Sequence, residues 1–187
     1  MNSIEEREKK EKEYAERQLL ENVIDSIDRV PLDVKQAIFS MSNEMGEMEI
    51  IQSFNQQAQD MFASVLYMTK KVNKDKEYNF SGYKVLFDTA IKHNNKLPID
   101  KFTLIILEFA AEIYAGEEDC FLKMSIPDKE VKVGNEFGMI RSESFKILWK
   151  LLGRSDKKKL KDQIQSLTTF SHAYLYKTIT KMASQNM

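Results

Sequence analysis

The sequence predicts a mainly all-α fold, a multi-helix bundle, and three observations carry that expectation. Six glycines and three prolines punctuate 187 residues, and so few turn-formers favour long helices joined by short connections. Apolar residues recur at helical spacing over most of the chain, as at Ile51, Phe54, Ala58, Met61, Phe62, Val65, Met68 and Val72, which marks one buried helix face. Apolar residues make up 42% and charged residues 30%, the balance of a globular chain long enough for one real core. No internal repeat or linker divides it, so residues 1–187 are expected to form a single helical domain.

The first helix is predicted over residues 4–29 and has two unlike halves. Glu5, Glu6, Glu8 and Glu13 precede Lys9, Lys10, Lys12 and Arg17 by four residues, the favourable order on a helix surface. This half has little to bury, so residues 1–18 are expected to form a charged helical extension that projects into solvent or lies along a partner. Leu19, Leu20, Val23, Ile24 and Ile27 form a stripe that can dock. Pro31 ends this helix or opens the next, which stops near Gly46.

A long amphipathic helix follows from about Glu47 to Val72, then a polar loop over Asn73 to Asn79. Ser81 is the expected N-cap of a shorter helix carrying Tyr83, Leu86, Phe87, Ala90 and Ile91. Asn94, Asn95 and Lys96 break it, and Pro98 suits the first turn of the next. That helix, about 98–115, is apolar nearly all round, which predicts the central helix of the bundle, ended by Gly116. Between 123 and 139 the helical pattern fails. Val131 and Val133, then Phe137 and Met139, alternate around Gly134 and Asn135, which predicts a small β-hairpin or an ordered loop packed on the bundle.

Ser142 or Ser144 caps a helix bearing Phe145, Leu148, Trp149 and Leu152, with Gly153 expected at its C-terminal end. The last helix starts near Ser155 and Asp156. Phe170, His172, Tyr174 and Tyr176 alternate with period two, so residues 168–180 read as strand as well as helix; continuity favours helix.

Charge is distributed unevenly. Residues 1–50 hold 7 basic and 13 acidic side chains, whereas residues 140–187 hold 10 and 3. The basic cluster Lys150, Arg154, Lys157, Lys158, Lys159 and Lys161 is the candidate site for an anionic partner. With Trp149, Phe170, Tyr174 and Tyr176 interleaved, it could neutralise phosphates and stack bases. Equally, the aromatics fit core positions and the lysines a solvated face, and at a helix start those lysines oppose the dipole. The acidic N-terminal half of a neighbouring copy would also satisfy them, giving head-to-tail assembly.

Glu108 and Glu112 lie at i,i+4 on the most apolar helix, and Glu44 and Glu47 form a second pair. Together they resemble the carboxylate pairs of all-α nucleoside triphosphate pyrophosphatases, which hold magnesium between helices. About sixty residues separate the pairs here, against that family's compact pattern, so no role is carried over. The plainer expectation is that Glu108 and Glu112, with Lys101, form a thin solvent stripe. His93, His172 and Cys120 have no zinc-site spacing, and Gly134 to Gly138 lacks the setting of a phosphate loop. No cofactor or catalytic residue is expected.

The single cysteine, Cys120, points to a reducing compartment. The run Met1 to Arg7 leads into charge and predicts no secretory signal, and the apolar stretch Phe102 to Tyr114 is too short for a membrane span of ~20 residues. Cytoplasmic location is the expectation. Lysines outnumber arginines 23 to 5, in keeping with an AT-rich genome such as that of a bacterium, a phage or a large virus. The function expected is therefore a non-enzymatic helical interaction or assembly protein, working through its charged N-terminal helix and basic C-terminal helical pair. A nucleic-acid-binding factor of the same architecture and a magnesium-dependent all-α hydrolase are the alternatives. A protein partner or self-association is expected, with nucleic acid an open second and no membrane.

Overall fold

A computed structural model describes residues 2–74, 80–123, 129–133, 136–140 and 142–185. The chain is a helical bundle: α1 (Asn2–Asp28), α2 (Leu32–Glu44), α3 (Glu47–Lys71), α4 (Phe80–His93), α5 (Leu97–Ala115), the short α6 (Asp119–Lys123), α7 (Ser142–Leu151) and α8 (Arg154–Gln185). Between α6 and α7, the segments Lys129–Val133 (β1) and Glu136–Ile140 (β2) pair antiparallel, with Val133 opposite Glu136, and lie against α4. They add no layer to the bundle, and the turn residues Gly134 and Asn135 lie outside the described residues.

The helix boundaries follow local chemistry. Pro31 flanks α2 as its N-cap, where its missing N–H costs nothing. The carbonyl of Gly46 accepts the first bond of α3, and the Glu49 carboxylate accepts the Gly46 N–H at 3.4 Å. At the far end of α3, Asn73 adopts a left-handed φ of 56°. The bonds Lys74 N–H to Thr69 O and Asn73 N–H to Lys70 O then satisfy the last carbonyls. Gly116, at φ 70°, closes α5 similarly.

Two caps differ from expectation. Ser81 lies inside α4, one residue past its first helical position, and so is not its cap. Gly153 does not take the left-handed conformation of a C-terminal glycine. Its carbonyl instead accepts the Lys157 N–H at 3.0 Å, so Gly153 opens α8 and does not close α7.

The helix that organises the bundle is α8. Cross-contacts pair Lys71 with Asp156, Ser64 with Gln163 and Glu47 with Lys181, so α3 and α8 run antiparallel along their full lengths. Helices α1, α2 and α5 also pack on α8. Five consecutive residues, Ser171 to Leu175, are buried, as happens only when neighbours surround a helix on all sides. The apolar α5 packs among α1, α3, α4, α6 and α8. The period-two alternation from Phe170 to Tyr176 therefore lies within a continuous helix, because full burial erases the polar stripe that would mark the helical period.

The core forms two main clusters strung along α3 and α8. One gathers Val30, Ile38, Ile50, Ile51, Phe54, Ile99, Leu167 and Tyr174 near the start of α3. The other gathers Val65, Met68, Ile106, Ile113, Cys120, Leu148, Trp149 and Leu160 near its end. Cys120, the single cysteine, is buried and packs in this second cluster as a small apolar group.

Candidate interaction surface at the basic end of the bundle

The antiparallel pairing of α3 and α8 carries the start of α8 to the end of α3, and α7 turns in beside them. Leu148, Trp149 and Leu152 fill the core, as the apolar spacing requires. That leaves Ile147 and Leu151 outward, 39% and 47% exposed, with Lys150 between them on the same face.

The six cations of the basic cluster do not act as one surface. Lys157 and Lys161 turn toward Glu118, at 3.7 and 3.2 Å, and Lys157 Nζ lies 5.6 Å from the centre of the Trp149 ring. Glu118 is held below its usual pKa first by the Lys161 hydrogen bond and then by the charges of Lys161 and Lys157. Lys158 pairs with Asp162 at 2.8 Å. Lys150, Arg154 and Lys159 are exposed and have no ion-pair partner among the described residues.

Tertiary structure adds a cation that the local run does not contain. Lys71 bonds Asp156 at 2.9 Å, and the exposed Lys70 comes to the same end of the molecule with it. Each partner of the Lys71–Asp156 pair stands at the helix terminus its charge favours, which offsets part of the lysine excess at the start of α8. Beside them a shallow groove of about 410 Å³ is walled by Gln57, Ser155, Lys158, Lys159 and Gln163. No linear signal could have found Glu118 or Lys70, since 43 residues separate Glu118 from Lys161.

The interleaved aromatics are not displayed with the cations. Trp149 and Tyr174 are buried, and Phe170 and Tyr176 are half-buried. Tyr174 donates to Asp100 Oδ1 at 3.0 Å, and burial raises the pKa of its phenol.

At the other extremity, the described side chains from Ile4 to Gln18 are all exposed. The ion pair that closes there is Arg7–Glu11, at 3.4 Å; the four Glu-first pairs expected from spacing do not close among the described residues. The docking stripe of α1 is seen at Ile27, which packs with Leu175. The side chains of Leu19, Leu20, Val23 and Ile24 lie outside the described residues.

The carboxylate pairs are not assembled together. Glu47 bonds Lys96 at 2.9 Å and lies 3.6 Å from Lys181, and the Lys96 hydrogen bond is the largest cause of its lowered pKa. Lys96 directly precedes α5, whereas Glu112 stands in its last turn, roughly 24 Å away at 1.5 Å per residue. Glu44 is exposed and accepts from Ser40, and Glu112 is half-buried. The side chain of Glu108 lies outside the described residues. Among the described residues no group of three His, Cys, Asp or Glu could hold a metal ion, and no helix is long and apolar enough to cross a membrane. His93 is exposed at the end of α4.

No family model matches the sequence, and no solved structure matches it. It is similar to an uncharacterized protein, R465, of Acanthamoeba polyphaga mimivirus, with 55% identity over 162 residues that cover 87% of this chain and 90% of the viral protein. At that identity and coverage the two share one fold over the matched residues, and the chain belongs to the family of this mimivirus protein.

Proposed function

We propose that the chain is a non-enzymatic helical interaction and assembly protein. Its N-terminal helix engages a partner, and the basic end built by α7 and α8 meets an acidic surface. The observation that supports this best is the contrast within α1: Ile27 is buried, yet the described side chains from Ile4 to Gln18 are exposed. An isolated helix of about 15 residues is marginal in water, so a partner lying along this segment would stabilise it. The family's mimivirus member and the use of a single cysteine in the chain fit action in a reducing cytoplasm, that of a host cell.

Light scattering with in-line ultraviolet absorbance, at low and then high salt, tests the reading. A multimer or a protein complex free of nucleic acid is the expected result. A monomer that binds neither protein nor nucleic acid would overturn it.

The second reading is a nucleic-acid-binding factor. Lys150, Arg154 and Lys159, exposed and without an ion-pair partner among the described residues, favour it, joined by Lys70 from α3. It calls for nucleic acid retained at low salt and shed steeply as salt rises, with loss on charge reversal of those residues.

A further inference from the structure

Two exposed surfaces at different places on the chain carry opposite charge, each beside exposed apolar side chains. On α1, Ile4, Glu8, Glu11 and Ala15 recur at i, i+4, i+7 and i+11 and share one helix face. All four are exposed, Ile4 at 66%, and Arg7 at the edge of this face pairs with Glu11. On α7, Ile147, Lys150 and Leu151 share the outward face, and the exposed Arg154 follows at the start of α8. One surface offers Glu8 and the exposed Glu11, whose Arg7 pair stands in solvent and can exchange partners, beside an isoleucine, and the other offers two cations beside an isoleucine and a leucine. Within one chain the surfaces do not cover each other, because each keeps its apolar residues in water.

We propose that these surfaces are the two halves of one self-contact. The N-terminal helix of one copy lies across Ile147, Lys150, Leu151 and Arg154 of a second copy, with Glu8 and Glu11 facing Lys150 and Arg154. This deepens the interaction reading above and rests on it. The donor and acceptor patches differ, so the contact is head-to-tail: a pair of copies keeps one free surface of each kind, one on each copy, and association continues until a ring closes or a chain extends. Charge complementarity fixes the pairing, and the isoleucines and Leu151 provide the area removed from water.

The test is sedimentation velocity on the full chain over a range of concentration, with two double variants, Glu8→Lys/Glu11→Lys and Lys150→Glu/Arg154→Glu. All four side chains stand in solvent, and circular dichroism checks that both variants keep wild-type helix content. The wild type should associate beyond the dimer. Each variant alone should weaken association at least tenfold, since like charges then meet, and an equimolar mixture should restore it, since opposite charges meet again. A wild type that associates but ignores both reversals overturns this contact and leaves the interaction reading standing. A wild type that stays monomeric at every concentration overturns it too, and capture of a different protein partner would then preserve the broader reading. Nucleic acid co-purifying with a monomer, and lost in Lys150→Glu/Arg154→Glu, overturns the contact in favour of the nucleic-acid reading.

Discussion

The Tyr114 hydroxyl lies 3.0 Å from His172 Nδ1, and the two rings stack with centroids 5.8 Å apart. This pair joins α5 to α8 at a site where His172 is fully buried. Burial lowers the His172 pKa to about 4 and raises that of the Tyr114 phenol, so both side chains are neutral in the folded protein near pH 7.

The histidine makes stability pH-dependent. Unfolded, His172 takes up a proton below about pH 6.5; folded, it resists until about pH 4. Its contribution is present in full above pH 6.5 and is lost as pH falls toward 4, because the unfolded state then binds the extra proton. At pH 5 the loss is on the order of 2 kcal/mol. Urea unfolding of wild type and His172→Asn at pH 7 and pH 5 checks this. The stability gap between them should narrow by that amount at the lower pH, and a gap independent of pH would refute the assignment.

Truncation should separate the body of the bundle from the outer part of α1. Leu167 is 1% exposed, within the helix that α1, α2, α3 and α5 pack against, so Leu167→Ala should cost about 2–5 kcal/mol. Ile4 is 66% exposed, and Ile4→Ala should stay within about 0.5 kcal/mol. Denaturant midpoints measure both, under conditions where the chain is monomeric.

Two glycines should respond to alanine to different extents although neither has an atom within 4 Å of an added Cβ. Gly116 sits at φ 70°, where a side chain is strained, so Gly116→Ala should destabilise by about 1 kcal/mol. Gly153 has no such φ, and alanine's reduced unfolded-state freedom is offset by its poorer fit at the N-cap of α8, so Gly153→Ala should stay within about 0.5 kcal/mol of wild type. Thermal melts of the two variants distinguish these outcomes.

Cys120 is 1% exposed in the core. An aromatic disulfide reagent should leave the native thiol unmodified and react with it at the rate of unfolding, rising steeply across the denaturation transition. Rapid stoichiometric labelling of the native protein would contradict that burial.

Local pattern alone determined the helical class and most of the boundaries. The apolar face of α3, the glycine at the end of α5 and the proline before α2 are short-range facts, since capping and amphipathicity act within a few residues. Where burial is complete, the same logic fails. The alternation around His172 carries no helical period, because α8 has neighbours on every side there. The basic cluster shows the same division. Composition located six cations, but only the fold set Glu118 against Lys157 and Lys161, brought Lys70 alongside, and left Lys150, Arg154 and Lys159 facing water. Charge is written in the sequence, but whether a charge meets a partner or solvent is decided by contacts across tens of residues, which only the tertiary structure specifies.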